Sequence, residues 1–312
     1  MKQSVGRRVR RRRRMLALLV LALILFVQCG KLTLRSDAGI RAPMSLVAFL
    51  SGSPLWGISS RNALLMDLQS GEVLAQKNAD ERRAPASLTK MMTILLAVET
   101  LPDLQQPVTL PEDIYAQLYA EDASMAGFQP GETVTVQDLL YGAMLSSGAE
   151  CCETLARQVS GSEEAFVALM NQNAQELGMN RTHFNNTTGL PEAGHVSTAA
   201  DLAVLLQAAL QNETFRMLFT TAQYTTTPTV QHPNGLTLHS TLLSKLTGKE
   251  LANGQILGGK TGYTSEAGLC LASLAEVNGR EYILVTLGAP GNHATEQMNL
   301  SDAIQVYGRL KD

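Results

Sequence analysis

Tryptophan occurs once in these 312 residues, cysteine four times and histidine five times. Four scattered thiols cannot staple a chain of this length, and the few His and Cys fall into no metal-ligand spacing. A disulfide scaffold and a zinc module are therefore excluded. Charge is sparse at 17% while 45% of residues are hydrophobic, which excludes a disordered or coiled-coil chain. The longest apolar run, residues 15–27 (MLALLVLALILFV), is shorter than the roughly 20 residues that span a bilayer. Positive charge is scarce outside the N-terminus. Eight of the 25 basic residues lie in 1–14, which leaves 17 against 28 acidic ones. So acidic a body argues against nucleic acid as a partner. No internal repeat is present.

The basic cluster (Lys2, Arg7, Arg8 and Arg10 to Arg14) runs directly into the apolar stretch. A positive segment followed by a short apolar one is an export signal, with the charge kept in the cytoplasm. The expected organisation is a signal peptide or membrane anchor over 1–29, a tether over 30–57 and an extracytoplasmic folded domain over 58–312. Signal removal and retention both remain open. The small-x-small site Ser36-Asp37-Ala38 lies far past the apolar run, and Gln28 beside Cys29 makes a poor lipoprotein site.

Within 58–312 the hydrophobic period changes along the chain. Short strand-like runs at 63–67 and 72–76 flank a turn at Leu68-Gln69-Ser70-Gly71. Helical spacing follows over 87–100, from Leu88 through Met91, Met92 and Leu95 to Val98. Thr135-x-x-Asp138 has the form of a capping box for a helix through Leu145. Further helices are expected over 162–177, stopped by Gly178, and from Thr198-x-x-Asp201 to Leu210. Apolar strands at 269–277 and 281–287 are joined by Asn278-Gly279, a strong hairpin signal. A last helix is expected over 293–310. Strands at both ends with helices between predict an α+β fold whose terminal strands share one sheet.

The chemistry begins at Ser87-Leu88-Thr89-Lys90. Three residues apart on a helix, the lysine amine can approach the hydroxyl. A desolvated lysine of lowered pKa can then take the serine proton, and N–H groups at the helix start favour developing negative charge. Read alone, the same four residues describe a capping serine and a surface lysine. Lys260-Thr261-Gly262 behind Gly258-Gly259 supplies a second element, a cation and a hydroxyl that could receive a carboxylate, beside a glycine that allows close backbone approach. A Ser-x-x-Lys, a helix-borne Ser motif and then Lys-Thr-Gly form the signature of penicillin-binding proteins and serine β-lactamases.

RRAPASLTKMMT (82–93), LLYGAMLSSG (139–148), GLPEAGHVSTAADLA (189–203) and GGKTGYTSEAGLCL (258–271) resemble the D-alanyl-D-alanine carboxypeptidases, the low-molecular-weight penicillin-binding proteins. The resemblance extends over about 58–310. It implies a transpeptidase-like fold, an antiparallel sheet flanked by helices plus a helical lobe, with the site between them. It further implies Ser87 as the acylated nucleophile, Lys90 as its base and Ser147 as a proton shuttle. Lys260, Thr261, Gly262 and Tyr263 would bind substrate, with the N–H groups of Ser87 and Tyr263 as the oxyanion hole. The implied partners are peptidoglycan pentapeptides ending in D-Ala-D-Ala, β-lactams as acylating inhibitors, and a membrane held through the N-terminal segment. No metal or cofactor is implied. A class A-like β-lactamase and a weakened wall-peptide-binding protein are the alternatives.

The chain departs from the family pattern in three ways. Its middle motif reads Ser147-Gly148-Ala149-Glu150 where Ser-Gly-Asn-Asp is usual, and Glu150 is expected to be a solvated helix carboxylate. Residues 289–300 lack the arginine that often receives the substrate carboxylate. No C-terminal β domain is expected, since about 50 residues follow Lys260. His195 reads as a packing residue, and Cys151, Cys152 and Cys270 as buried thiols. The sequon letters at Asn185 and Asn186 carry no function in this reading.

Overall fold

Every residue from 62 to 67 is buried, and their side chains divide by parity: Ala63 and Leu65 enter one apolar cluster, Leu64 and Met66 another. A strand buried on both faces belongs at the centre of a layered fold. The computed structural model describes residues 52–246, 248 and 251–311, all within one compact unit. Its main sheet contains β1 (Asn62–Asp67), β2 (Val73–Lys77), β7 (Gly254–Thr264), β8 (Gly268–Val277) and β9 (Arg280–Ala289). The order is β2-β1-β9-β8-β7, antiparallel throughout. Two small ladders lie apart, β3 (Pro107–Thr109) with β4 (Thr133–Thr135), and β5 (Gln223–Thr225) with β6 (Thr237–His239).

The helices are α1 (Lys90–Thr100), α2 (Tyr115–Ala120), α3 (Val136–Leu145), α4 (Ala149–Ser160), α5 (Glu163–Glu176), α6 (Ala199–Ala209), α7 (Glu213–Thr220) and α8 (Met298–Tyr307). Leu300, Ala303, Val306 and Tyr307 of α8 cover one face of the sheet with Leu65, Leu271 and Leu284. The opposite face shares a core with α1 and α3 to α7. The expected α+β arrangement, with sheet strands drawn from both ends of the domain, is the observed one.

Local signals are realised as hydrogen bonds. Asp138 N donates to Thr135 Oγ1 at 3.1 Å, and Thr135 N donates back to Asp138 Oδ2 at 3.0 Å. The Thr198 cap keeps only half of the box. Asp201 N donates to Thr198 Oγ1, but Asp201 Oδ2 accepts from Arg181 N and Thr182 Oγ1 instead. Asn278 and Gly279 both have positive φ, 52° and 74°, as a two-residue hairpin of primed type demands.

The structure departs from, or adds to, the sequence reading at three places. The last helix starts at Met298 rather than 293, because residues 292–297 form a turn around Thr295 Oγ1, which accepts from Asn292 N at 2.8 Å. Lys260 lies inside a strand, β7, for which the sequence carries no strand signal. The stretch 53–57, expected as tether, packs against α8: Leu55 joins its core, and Gln305 Nε2 donates to Trp56 O. The expected export segment lies outside the described residues. Among the described residues no helix is long and apolar enough to cross a membrane.

Candidate active site

Ser87 sits half-buried in a 3-10 turn, Ala86–Thr89, that leads into α1. Lys90, the first residue of α1, is 2% exposed. Its Nζ donates to Ser87 Oγ at 3.1 Å and to the carbonyl of Thr188 at 2.7 Å. Burial holds the Lys90 ammonium below the usual lysine range, against opposing attraction from Cys152 and Glu150. A lysine so placed is a proton acceptor within reach of a hydroxyl.

The Thr188 carbonyl is brought there by a close backbone approach. Gly189 has φ +82°, and a Cβ built on it would fall 1.9 Å from Ala86 O. Ala86 itself adopts φ +48°, so both sides of this contact are conformationally demanding. Gly189→Ala is therefore expected to cost about 2–4 kcal/mol, read as a lower urea midpoint, and to separate Lys90 from its carbonyl partner. An unchanged midpoint would show that the two segments can move apart freely.

Behind the same strap, Thr187 N and Oγ1 donate to Glu163 Oε1 at 2.9 and 3.1 Å. Burial, with Glu163 beside it, pushes the neighbouring Glu153 carboxyl up to about 8. His195 is buried against α1. Asn185 N donates to its Nδ1, so Nε2 carries the proton and donates to Thr89 Oγ1 at 2.8 Å. Desolvation brings His195 down to about 4, and the ring works as a neutral packing and anchoring group, as expected.

The second serine faces a second lysine. Lys260 Nζ donates to Ser147 Oγ and to Thr261 O, both at 2.9 Å. Lys260 is fully buried, and burial, helped by repulsion from Lys90, holds it well below its ordinary range. Ser147 is not borne on a helix. It lies between α3 and α4 with φ +61°, a left-handed conformation that is uncommon for serine and marks functional sites.

Glycines let β7 reach both serines. A Cβ on Gly262 would meet Ser87 N at 3.0 Å, and one on Gly258 would fall 2.1 Å from Phe219 O of α7. Thr261 Oγ1 pairs with Thr241 Oγ1 at 2.7 Å. The Tyr263 ring meets His293 edge-on, with centroids 4.7 Å apart.

Glu150 corrects the sequence expectation most sharply. It is fully buried, and its Oε1 accepts from Ala126 N and Gly127 N at 2.7 and 2.9 Å. Burial raises its pKa while those backbone N–H groups oppose the rise. The side chain holds the 124–127 segment rather than facing water. That segment carries Ser124, which shares two cavity walls with Ser87.

Two adjoining cavities meet at Ser87. One, of about 300 Å³, includes Lys90, Ala149, Gly189, Glu121 and Asp122. The other, of about 70 Å³, includes Ser147, Thr241, Thr261, Lys245 and Asn299. All the sequence-identified residues thus converge. Ser124, Thr188, Thr241 and Lys245 join them, and only Thr188, next to the 189–203 motif, had a sequence signal nearby. Among the described residues no group of His, Cys, Asp and Glu could hold a metal ion. The three described cysteines are buried and free, as expected.

The profile of the D-alanyl-D-alanine carboxypeptidase family matches residues 50–291. The chain belongs to this family. It is 36% identical over 234 residues to D-alanyl-D-alanine carboxypeptidase DacF of Bacillus subtilis, covering 74% of this chain and 57% of that one. It is 34% identical to DacC of Escherichia coli, covering 80% and 61%. The chain thus spans about three fifths of the length of these two relatives. The crystal structure of the Streptomyces K15 DD-transpeptidase superposes with a TM-score of 0.71 at 31% identity, covering 80% of this chain and 97% of that one. The fold is accordingly the one shared by penicillin-binding DD-peptidases. Within this D-alanyl-D-alanine carboxypeptidase framework the two lysine–serine pairs take their meaning.

Proposed function

We propose that this chain is a serine-type D-alanyl-D-alanine carboxypeptidase that removes the terminal D-alanine from peptidoglycan stem peptides. The observation that carries the reading is the Lys90 Nζ–Ser87 Oγ contact at the junction of the two cavities, in a chain of this family. Ser87 Oγ attacks the carbonyl of the penultimate residue as its proton passes to the neutral Lys90 amine. The C–N bond breaks as the proton taken by Lys90 passes through Ser147, which Lys260 holds, to the leaving nitrogen, so D-alanine departs and Lys90 is neutral again. Water then attacks the ester carbonyl, and the proton it sheds returns to Ser87 through Lys90.

Gly262 packed on Ser87 N supports an oxyanion hole made by the N–H groups of Ser87 and Tyr263. As the outer strand of the sheet, β7 has an edge on which an extended peptide can pair. The reading extends to acylation by β-lactams, and to an extracytoplasmic location with residues 15–29 as signal or anchor. A labelled-penicillin gel together with a D-alanine release assay tests it. Labelling with no D-alanine release from any stem peptide would leave a binding protein or a β-lactamase.

The family's asparagine is replaced by Ala149, which lines the larger cavity and offers no side-chain hydrogen bond. Glu150 lines neither cavity, and its Oε1 is held by the 126–127 N–H groups. Ala149→Asn is expected to raise the acylation rate about tenfold, equivalent to ~1.4 kcal/mol of transition-state stabilisation. Slower acylation by a normally folded variant would show that the alanine site has been rebuilt around its smaller side chain.

A further inference from the structure

We infer that Lys245 is the specificity residue that receives the substrate's free C-terminal carboxylate in the small cavity beyond Ser87. The inference rests on the carboxypeptidase reading and adds the group that distinguishes a chain end from a continuing chain. An enzyme that removes only the last residue must favour a carboxylate over an amide at that position, which calls for a cation where the carboxylate comes to rest. Residues 289–300 contain neither Arg nor Lys. Lys260 is fully buried, with its Nζ already committed to Ser147 Oγ and Thr261 O.

The two cavities around Ser87 differ in charge. The larger carries Glu121 and Asp122, both exposed. The smaller has no carboxylate in its wall, and Lys245 is the one lysine or arginine among its described lining residues. An anionic chain end is therefore directed to the small cavity and the rest of the peptide to the large one.

Lys245 is exposed, and no ion pair engages it among the described residues. Its position is fixed nonetheless. It ends a 3-10 turn, Leu243–Lys245, with its N–H donating to Leu242 O at 3.0 Å. The segment is tied to β7 by the Thr241–Thr261 hydroxyl contact. Lys245 Nζ donates to Gln297 Oε1 at 3.3 Å, while Gln297 Nε2 donates to the carbonyls of Asn292 and Thr295. Those two bonds orient the amide so that its oxygen steers the ammonium without neutralising it.

The test compares kcat/KM for diacetyl-L-Lys-D-Ala-D-Ala and for its C-terminal amide, in the wild-type chain and in Lys245→Gln and Lys245→Arg. The wild type is expected to prefer the acid. Lys245→Gln should lower the acid-to-amide ratio about fivefold, the upper range for one solvent-exposed ion pair, and Lys245→Arg should restore most of it. Salt should erode the preference of the wild type more than that of Lys245→Gln. A Lys245→Gln chain that melts normally and keeps the wild-type ratio would overturn the assignment. A wild-type chain that releases nothing from either peptide would instead remove the carboxypeptidase reading on which the assignment stands.

Discussion

Ser87→Ala is expected to abolish covalent labelling by penicillin and to lower D-alanine release by at least ~10³-fold. The fold should be indifferent to the change. Ser87 is half-buried, and its hydroxyl's one described partner is Lys90, which keeps the Thr188 carbonyl. Losing one neutral acceptor costs on the order of 1 kcal/mol, a small shift in melting temperature for a domain of this size. Labelling that persists in Ser87→Ala would place the nucleophile elsewhere, with Ser147 the next hydroxyl to examine.

Lys90→Met should be almost as damaging, lowering acylation by about 10²–10⁴-fold, the range a positioned general base contributes. The pH dependence separates this role from simple packing. Burial disfavours the ammonium form, so Lys90 releases its proton below the ordinary lysine pKa of 10.5. The neutral amine is the form that accepts the serine proton. Acylation should therefore rise with pH and level off below that value, falling on the acid side as Lys90 is protonated. A stopped-flow titration with a chromogenic β-lactam reads the profile directly. In Lys90→Met the acid limb should vanish along with most of the rate, and a limb that survives unchanged would belong to another group.

Much of this organisation is written in local sequence. The Thr135/Asp138 cap and the Asn278-Gly279 turn depend on residues within a few positions of one another, so their letters suffice. The order of the Ser-x-x-Lys, Ser and Lys-Thr-Gly elements likewise pointed to one site. The failures lie where distant chain segments decide. The glycines of β7 hide a strand, because Phe219 O approaches so closely that no larger residue fits at 258 without displacement, and Ser87 N comes close at 262. Glu150 has the letters of a solvated helix carboxylate, and only the 126–127 backbone, 23 to 24 positions away, accounts for its burial. Ser124 and Lys245 enter through loops whose sequences carry no chemical pattern. The left-handed backbone at Ser147 follows from the meeting of α3 and α4, which no short motif encodes.

The pairing of β1 with β9 bears on how the protein reaches this state. Asn62 lies opposite Leu287 and Asp67 opposite Tyr282, so the central pair of strands joins nearly opposite ends of the described chain. Such pairing cannot begin until β9 has been synthesised, and the long loop to be closed makes it slow. During that interval β1 exposes Leu64, Leu65 and Met66, an apolar edge open to other chains. The helices between can form early, while Lys260 arrives on β7 with the late-made strands. Assembly of the sheet and completion of the Ser147–Lys260 pair are then one event, and a chain arrested before β9 would be unfinished in its core and its chemistry alike.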